Sequence, residues 1–241
     1  MQIIITIDSS TINSTPPVGH NIIYRFKVEA ELDGEQLDDE KDSDQNKALW
    51  KLPNSIARVG SRDQGGDGWA AKGTYEWLNT NSNSIAEVND ISGEHARNIG
   101  HSTHFKGTDI DTYHFVNLLS GNLNGTQNYN KLKSAAISAL NNNATALQTV
   151  TSWIDVHRNE LDTLTGLSTV AEVITPKGTG TNTLPSGWVK QLMTTGKVVN
   201  NGNTIINTNL GLWSNSNVRY RNDHNNHLHI DLKDSQLNNT P

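Results

Sequence analysis

The chain contains no cysteine. Disulfides and thiolate metal sites are excluded together, so any metal it holds must be bound by His, Asp or Glu. Only 34% of the 241 residues are hydrophobic and the mean hydropathy is −0.59. Lysine and arginine number 19 against 25 acidic residues, with no basic stripe of the kind that tracks phosphates, so nucleic acid is not an expected partner. No apolar run approaches the length that spans a bilayer. The opening "MQIIITIDSS" is too short and lacks the preceding basic residues of a secretory signal.

What is abundant is Asn, Ser, Thr and Gly, which favour turns and loops. Six Trp and several strand-like runs supply a core. The length suits one domain with an added segment. "QIIITID" (2–8) and "NIIYRFKVEAEL" (21–32) read as strands of an N-terminal β-hairpin. The acidic "DGEQLDDEKDSDQN" (33–46) reads as a solvated linker. Its "DSDQN" resembles the start of a calcium loop but carries Lys47 where the tight-turn glycine belongs. Residues 1–46 are therefore expected to form an extension, and 47–241 the functional domain.

Within that domain "GWAAKGTYEWL" (68–78) reads as a short helix, and "SIAEVNDI" (84–91) and "GTDIDTYHFV" (107–116) as strands. Leu132, Ala136, Leu140, Leu147, Ile154 and Leu161 recur at helical spacing, with "NNN" at 141–143 as a break into two helices. "STVAEVIT" (168–175) reads as a strand, 175–187 as a loop, "WVKQLM" (188–193) as a short helix and "NHLHIDL" (226–232) as a closing strand. Blocks of strands and helices predict an α+β fold around an antiparallel sheet.

Six of the nine histidines fall in two short windows, "GHSTHFKGTDIDTYHF" (100–115) and "DHNNHLHIDL" (223–232). Residues two apart in a strand share a face, so His227 and His229 can reach one point, and so can Asp109 and Asp111. His104 precedes Gly107, where the chain can turn back and bring the imidazole to the Asp111 carboxylate. Two imidazoles and a carboxylate leave a fourth zinc position open, as in catalytic rather than structural sites. His20, His95 and His157 outside the windows, and His114 at the end of the first, read as ordinary surface or core histidines. Arg62 and Arg97 have the chemistry to bind a substrate carboxylate, and equally to face solvent. Trp213, just upstream of the second window, is the aromatic candidate for a groove wall.

"STHFKGTDID" fits the SxHxxGxxxD motif, and "HLH" the HxH motif, of the zinc peptidases grouped around lysostaphin, D-Ala-D-Ala peptidases and hedgehog domains. The variant it resembles most is the penicillin-insensitive murein endopeptidase type. That type adds a histidine three before each motif's first histidine (here His101 and His224) and an Asp two before the ligand Asp (here Asp109). "VNDIS" (88–92) is similar as well. Phe105 stands where a glutamine commonly follows the first ligand, and the helical stretch before His227 looks like an insertion.

The resemblance implies one Zn2+ per chain held by His104, Asp111 and His229. His227 would be the non-ligand general base, with His101, His224 and Asp109 around the site. It further implies hydrolysis of peptide cross-links in peptidoglycan, in the periplasm or outside the cell. Without a recognisable signal, delivery would be by phage, by specialised secretion, or in a trimmed chain, and a delivery or immunity partner would follow from the first two. Two alternatives stay open. One is a D-Ala-D-Ala carboxypeptidase or L-alanyl-D-glutamate endolysin, although Asp223 is the nearest acid before HxH and those relatives usually use an ExxH spacing. The other is a hedgehog-like zinc-binding module without catalysis.

Overall fold

In the computed structural model, residues 29–32, 35–38, 49–52, 56, 68–81, 88–92, 104, 107–112 and 125–233 are described. The strand expected at 2–8 lies outside them, as do His20, Arg62, His95, Arg97, His101 and His114.

Strands β5 (Asp109–Thr112), β10 (Leu228–Leu232), β6 (Val170–Pro176) and β9 (Val218–Arg221) form a four-stranded sheet in the order β5-β10-β6-β9. Alternation gives this sheet two chemically distinct faces. Ile110, Ile230 and Val173 stand side by side in register and are fully buried on one face. Asp111, His229 and Ile174 stand side by side on the other. The apolar face packs on helix α3 (Ala144–Gly166), whose buried Val150, Trp153, Ile154, His157, Leu161 and Leu164 follow helical spacing. His157, fully buried, contacts Thr175 Oγ1 of β6 through Nε2 at 2.7 Å and Glu160 Oε2 through Nδ1 at 2.9 Å. It is the core histidine its isolation in the sequence suggested.

Asn143 caps α3 by accepting from the Ala146 amide at 3.0 Å, so the "NNN" stretch does separate two helices, α2 (Gly125–Ala139) and α3. The α+β class is as expected. The sheet, however, is mixed rather than wholly antiparallel, because β6 and β9 run parallel. A parallel pair needs a long crossover. Here residues 177–217 supply it, with helix α4 (Trp188–Thr195) and a hairpin of β7 (Lys197–Asn200) and β8 (Asn203–Asn207).

A second sheet has the order β1-β2-β3-β4, built from Glu29–Leu32, Glu35–Asp38, Leu49–Lys51 and Trp69–Ala71. Two expectations change. Glu35–Asp38, in the stretch read as linker, is a strand, and the sheet runs across the 46/47 boundary. "GWAAKGTYEWL" begins as β4, and helix α1 starts only at Lys72 and runs to Asn81. Residues 88–92 join the two sheets. Trp69 N donates to Ser92 O at 3.1 Å, while Asn89 N donates to Asp111 O at 2.7 Å and Asp111 N to Asp90 O at 2.8 Å. No helix among the described residues is long and apolar enough to cross a membrane.

Candidate metal centre

The polar face of the β5-β10 pair brings the two histidine windows together. Asp111 and His229 are direct cross-strand partners, and His229 Nδ1 lies 2.8 Å from Asp111 Oδ1. His104 enters from the turn before β5, with Nε2 3.4 Å from Asp111 Oδ2. Gly107 makes that turn possible. Its φ is +69°, and a Cβ there would run into the backbone of Ala70 and Ala71 and the Leu49 side chain. The second sheet is thus the surface against which the His104 loop closes, with Ala71 N donating to Gly107 O at 3.0 Å.

His104, Asp111 and His229 are each no more than 5% exposed, and one ligand atom from each lies within 4.8 Å of the others. They are close enough to bind one metal ion. The surroundings orient them for it. His104 donates from Nδ1 to the Ile91 carbonyl at 2.9 Å, which leaves Nε2 toward Asp111. Asp109 Oδ1 takes His229 Nε2 at 3.1 Å and leaves Nδ1 facing the cluster. An imidazole held by a carboxylate on its far nitrogen is the usual support of a metal-ligating histidine.

Charge in the cluster centres on the buried Asp111 carboxylate. Burial alone would raise the Asp111 pKa. Hydrogen bonds from His104 and His229 outweigh it, with the nearby charge of His104 and His227, and hold the carboxyl far below the usual carboxylate range. Burial would likewise lower the pKa of His229, but its bonds to Asp109 and Asp111 push it up to about 9.

His227 immediately precedes β10. Its Nε2 lies 3.7 Å from Asp111 Oδ2 and its Nδ1 2.9 Å from Asn226 Oδ1. Burial pushes its pKa down to about 4 against the pull of Asp111. His224 packs against His227 with ring centroids 4.5 Å apart and planes tilted by 40°, and stands 5.7 Å from His229, edge-on. Burial lowers its pKa, opposed by its bond to Asp223. Of the seven site residues expected from sequence, six converge here and His101 lies outside the described residues. Trp213 is tied by Nε1 to Asp162 Oδ2 of α3 at 3.0 Å.

Three contributors carry no role in the motifs themselves, although Asp90 and Ile91 lie in "VNDIS" (88–92). Ile91 acts through its carbonyl, and Asp90 through the carbonyl that holds the Asp111 amide. No side-chain pattern reports such roles. Asn226, which orients His227, sits between His224 and His227 in the second window and was in plain view there.

No family model matches the chain, and no curated protein or solved structure is significantly similar to it.

Proposed function

We propose that the chain is a zinc-dependent peptidoglycan endopeptidase that hydrolyses peptide cross-links of the bacterial wall. The observation that carries the reading is the convergence of His104, Asp111 and His229 in one buried cluster, with a fourth imidazole, His227, beside it. Two nitrogen donors and one oxygen donor, with no thiolate available in the chain, suit zinc. A purely structural zinc site would be closed by a fourth protein ligand; the close group holds three, His104, Asp111 and His229, and the resemblance to the peptidases gives His227 the non-ligand role. The two motifs shared with the peptidases of the lysostaphin group supply the substrate class.

Bound there, zinc would polarise the scissile carbonyl and make a water acidic enough to react near neutral pH. His227 handles the proton. Its Nδ1–H donates to Asn226, so Nε2 carries the lone pair, accepts the proton released by the nucleophile and returns it to the leaving amine. Asp109 and the Ile91 carbonyl keep the His229 and His104 rings from turning away.

Digestion of diaminopimelate-type sacculi, followed by mass analysis of the released muropeptides, tests the bond. Loss of cross-linked dimers with accumulation of intact monomers is the expected product pattern. Release of terminal D-alanine alone would mean a carboxypeptidase, and cleavage between L-alanine and D-glutamate an endolysin. Binding to the wall without soluble products would indicate a recognition module.

A further inference from the structure

Proton transfer by His227 gives no task to the imidazole packed against it. His224 closes the short 3-10 turn Asn222–His224 and stands against both His227 and His229. Its Nδ1 lies 2.9 Å from Asp223 Oδ1. A carboxylate only accepts, so the ring must donate from Nδ1, and the hydrogen bond on one nitrogen sets what the other presents. The two neighbouring rings are therefore oriented by different partners, His227 by a neutral amide and His224 by a carboxylate.

Asp223 itself has no packing role. Its side chain is 69% exposed, whereas that of His224 is 13% exposed. Its other charged neighbour is Arg221, whose Nε is 3.9 Å from the same oxygen and which is also mostly exposed.

Resting on the peptidase reading, we propose that Asp223 is a positioning residue. It locks His224 as the Nδ1–H tautomer, leaving Nε2 as a hydrogen-bond acceptor for a main-chain N–H of the peptide substrate beside His227. The Asp223–His224 pair then fixes the scissile peptide while His227 moves the proton, so the two adjoining histidines divide orientation and acid–base work.

Imidazole nitrogen NMR on the full chain without added metal, together with steady-state kinetics of the zinc-loaded protein, tests this. The wild type should show His224 protonated at Nδ1. Asp223→Ala should move the proton to Nε2 and lower kcat by about 10- to 100-fold, the usual loss on removing such a supporting partner. Zinc affinity and Tm should stay unchanged, as expected for an exposed side chain. Asp223→Glu should restore part of the rate, and Arg221→Ala should leave tautomer and kcat alone. A wild-type His224 protonated at Nε2, an Asp223→Ala variant with unaltered tautomer or unaltered kcat, or an Arg221→Ala variant with the same kcat loss would each overturn the proposal. The tautomer needs no turnover. A wild type that cleaves no wall peptide would defeat the peptidase reading, while the NMR still decides whether Asp223 sets His224.

Discussion

A carboxylate as buried as Asp111 is stable only beside positive charge, and the residues around it offer two ways to supply it. One is a second proton on His229, so that Nδ1–H donates to Asp111 and Nε2–H to Asp109. The other is a metal ion that takes the place of the Nδ1 proton while Asp109 keeps the Nε2 proton. Asp109 serves both arrangements, and its value to the metal is to fix the ring and make Nδ1 a better donor. Asp109→Asn keeps the shape and an acceptor oxygen but removes the charge. Zinc affinity should fall by about 10- to 100-fold, measured by competition with a chromophoric chelator, with the fold intact by circular dichroism. Unchanged affinity would mean that Asp109 is an ordinary strand residue.

Between elements, the site depends on a contact that has little to do with metal chemistry. The His104 loop closes because Gly107 adopts a left-handed conformation against the backbone of β4. Gly107→Ala adds a conformational strain above about 1 kcal/mol and a Cβ with no room. Zinc affinity should drop and Tm should fall, the first by more than the stability loss alone explains. A variant with wild-type zinc affinity would show that the loop closes without β4.

Legibility followed the same division. The ligands could be read because each is a side chain at fixed spacing, and His104 to Asp111 and His227 to His229 keep that spacing in the fold. Helices α2 and α3 could be read because their apolar periodicity and Asn143 cap act locally. The parallel pairing of β6 with β9 could not, since no residue in either strand encodes its neighbour's direction. Glu35–Asp38 is a strand although Glu, Gln and Asp disfavour it, because β1 and β3 pair with it on both sides. Ala70 and Ala71 favour helix by composition and are held in β4 by pairing with β3. The β7–β8 hairpin was signalled after all, by Asn201-Gly202 between two β-branched runs, both with positive φ.

Across the whole chain, metal binding would be linked to folding. The three residues close enough to hold an ion come from the His104 turn, β5 and β10, so an ion bound by all three would bind only the folded chain. At a free zinc concentration a hundred times Kd the stabilisation is about 2.7 kcal/mol. For a chain of this size that raises Tm by about 5–10 °C. Differential scanning fluorimetry with zinc, and again with chelator, should show the rise and its reversal, and His104→Ala should show neither. A wild-type Tm indifferent to zinc would contradict a site built across these elements.

The central claim is that the cluster and His227 together hydrolyse wall peptides, with separate duties. The most direct measurement compares wild type and His227→Ala on isolated sacculi at matched zinc content, with released muropeptides counted by mass. The account predicts zinc-dependent loss of cross-linked dimers by the wild type, abolished by chelator. It predicts no turnover by His227→Ala despite one zinc per chain. Equal cleavage by both proteins would contradict the role of His227, and no cleavage by the zinc-loaded wild type would contradict the peptidase itself.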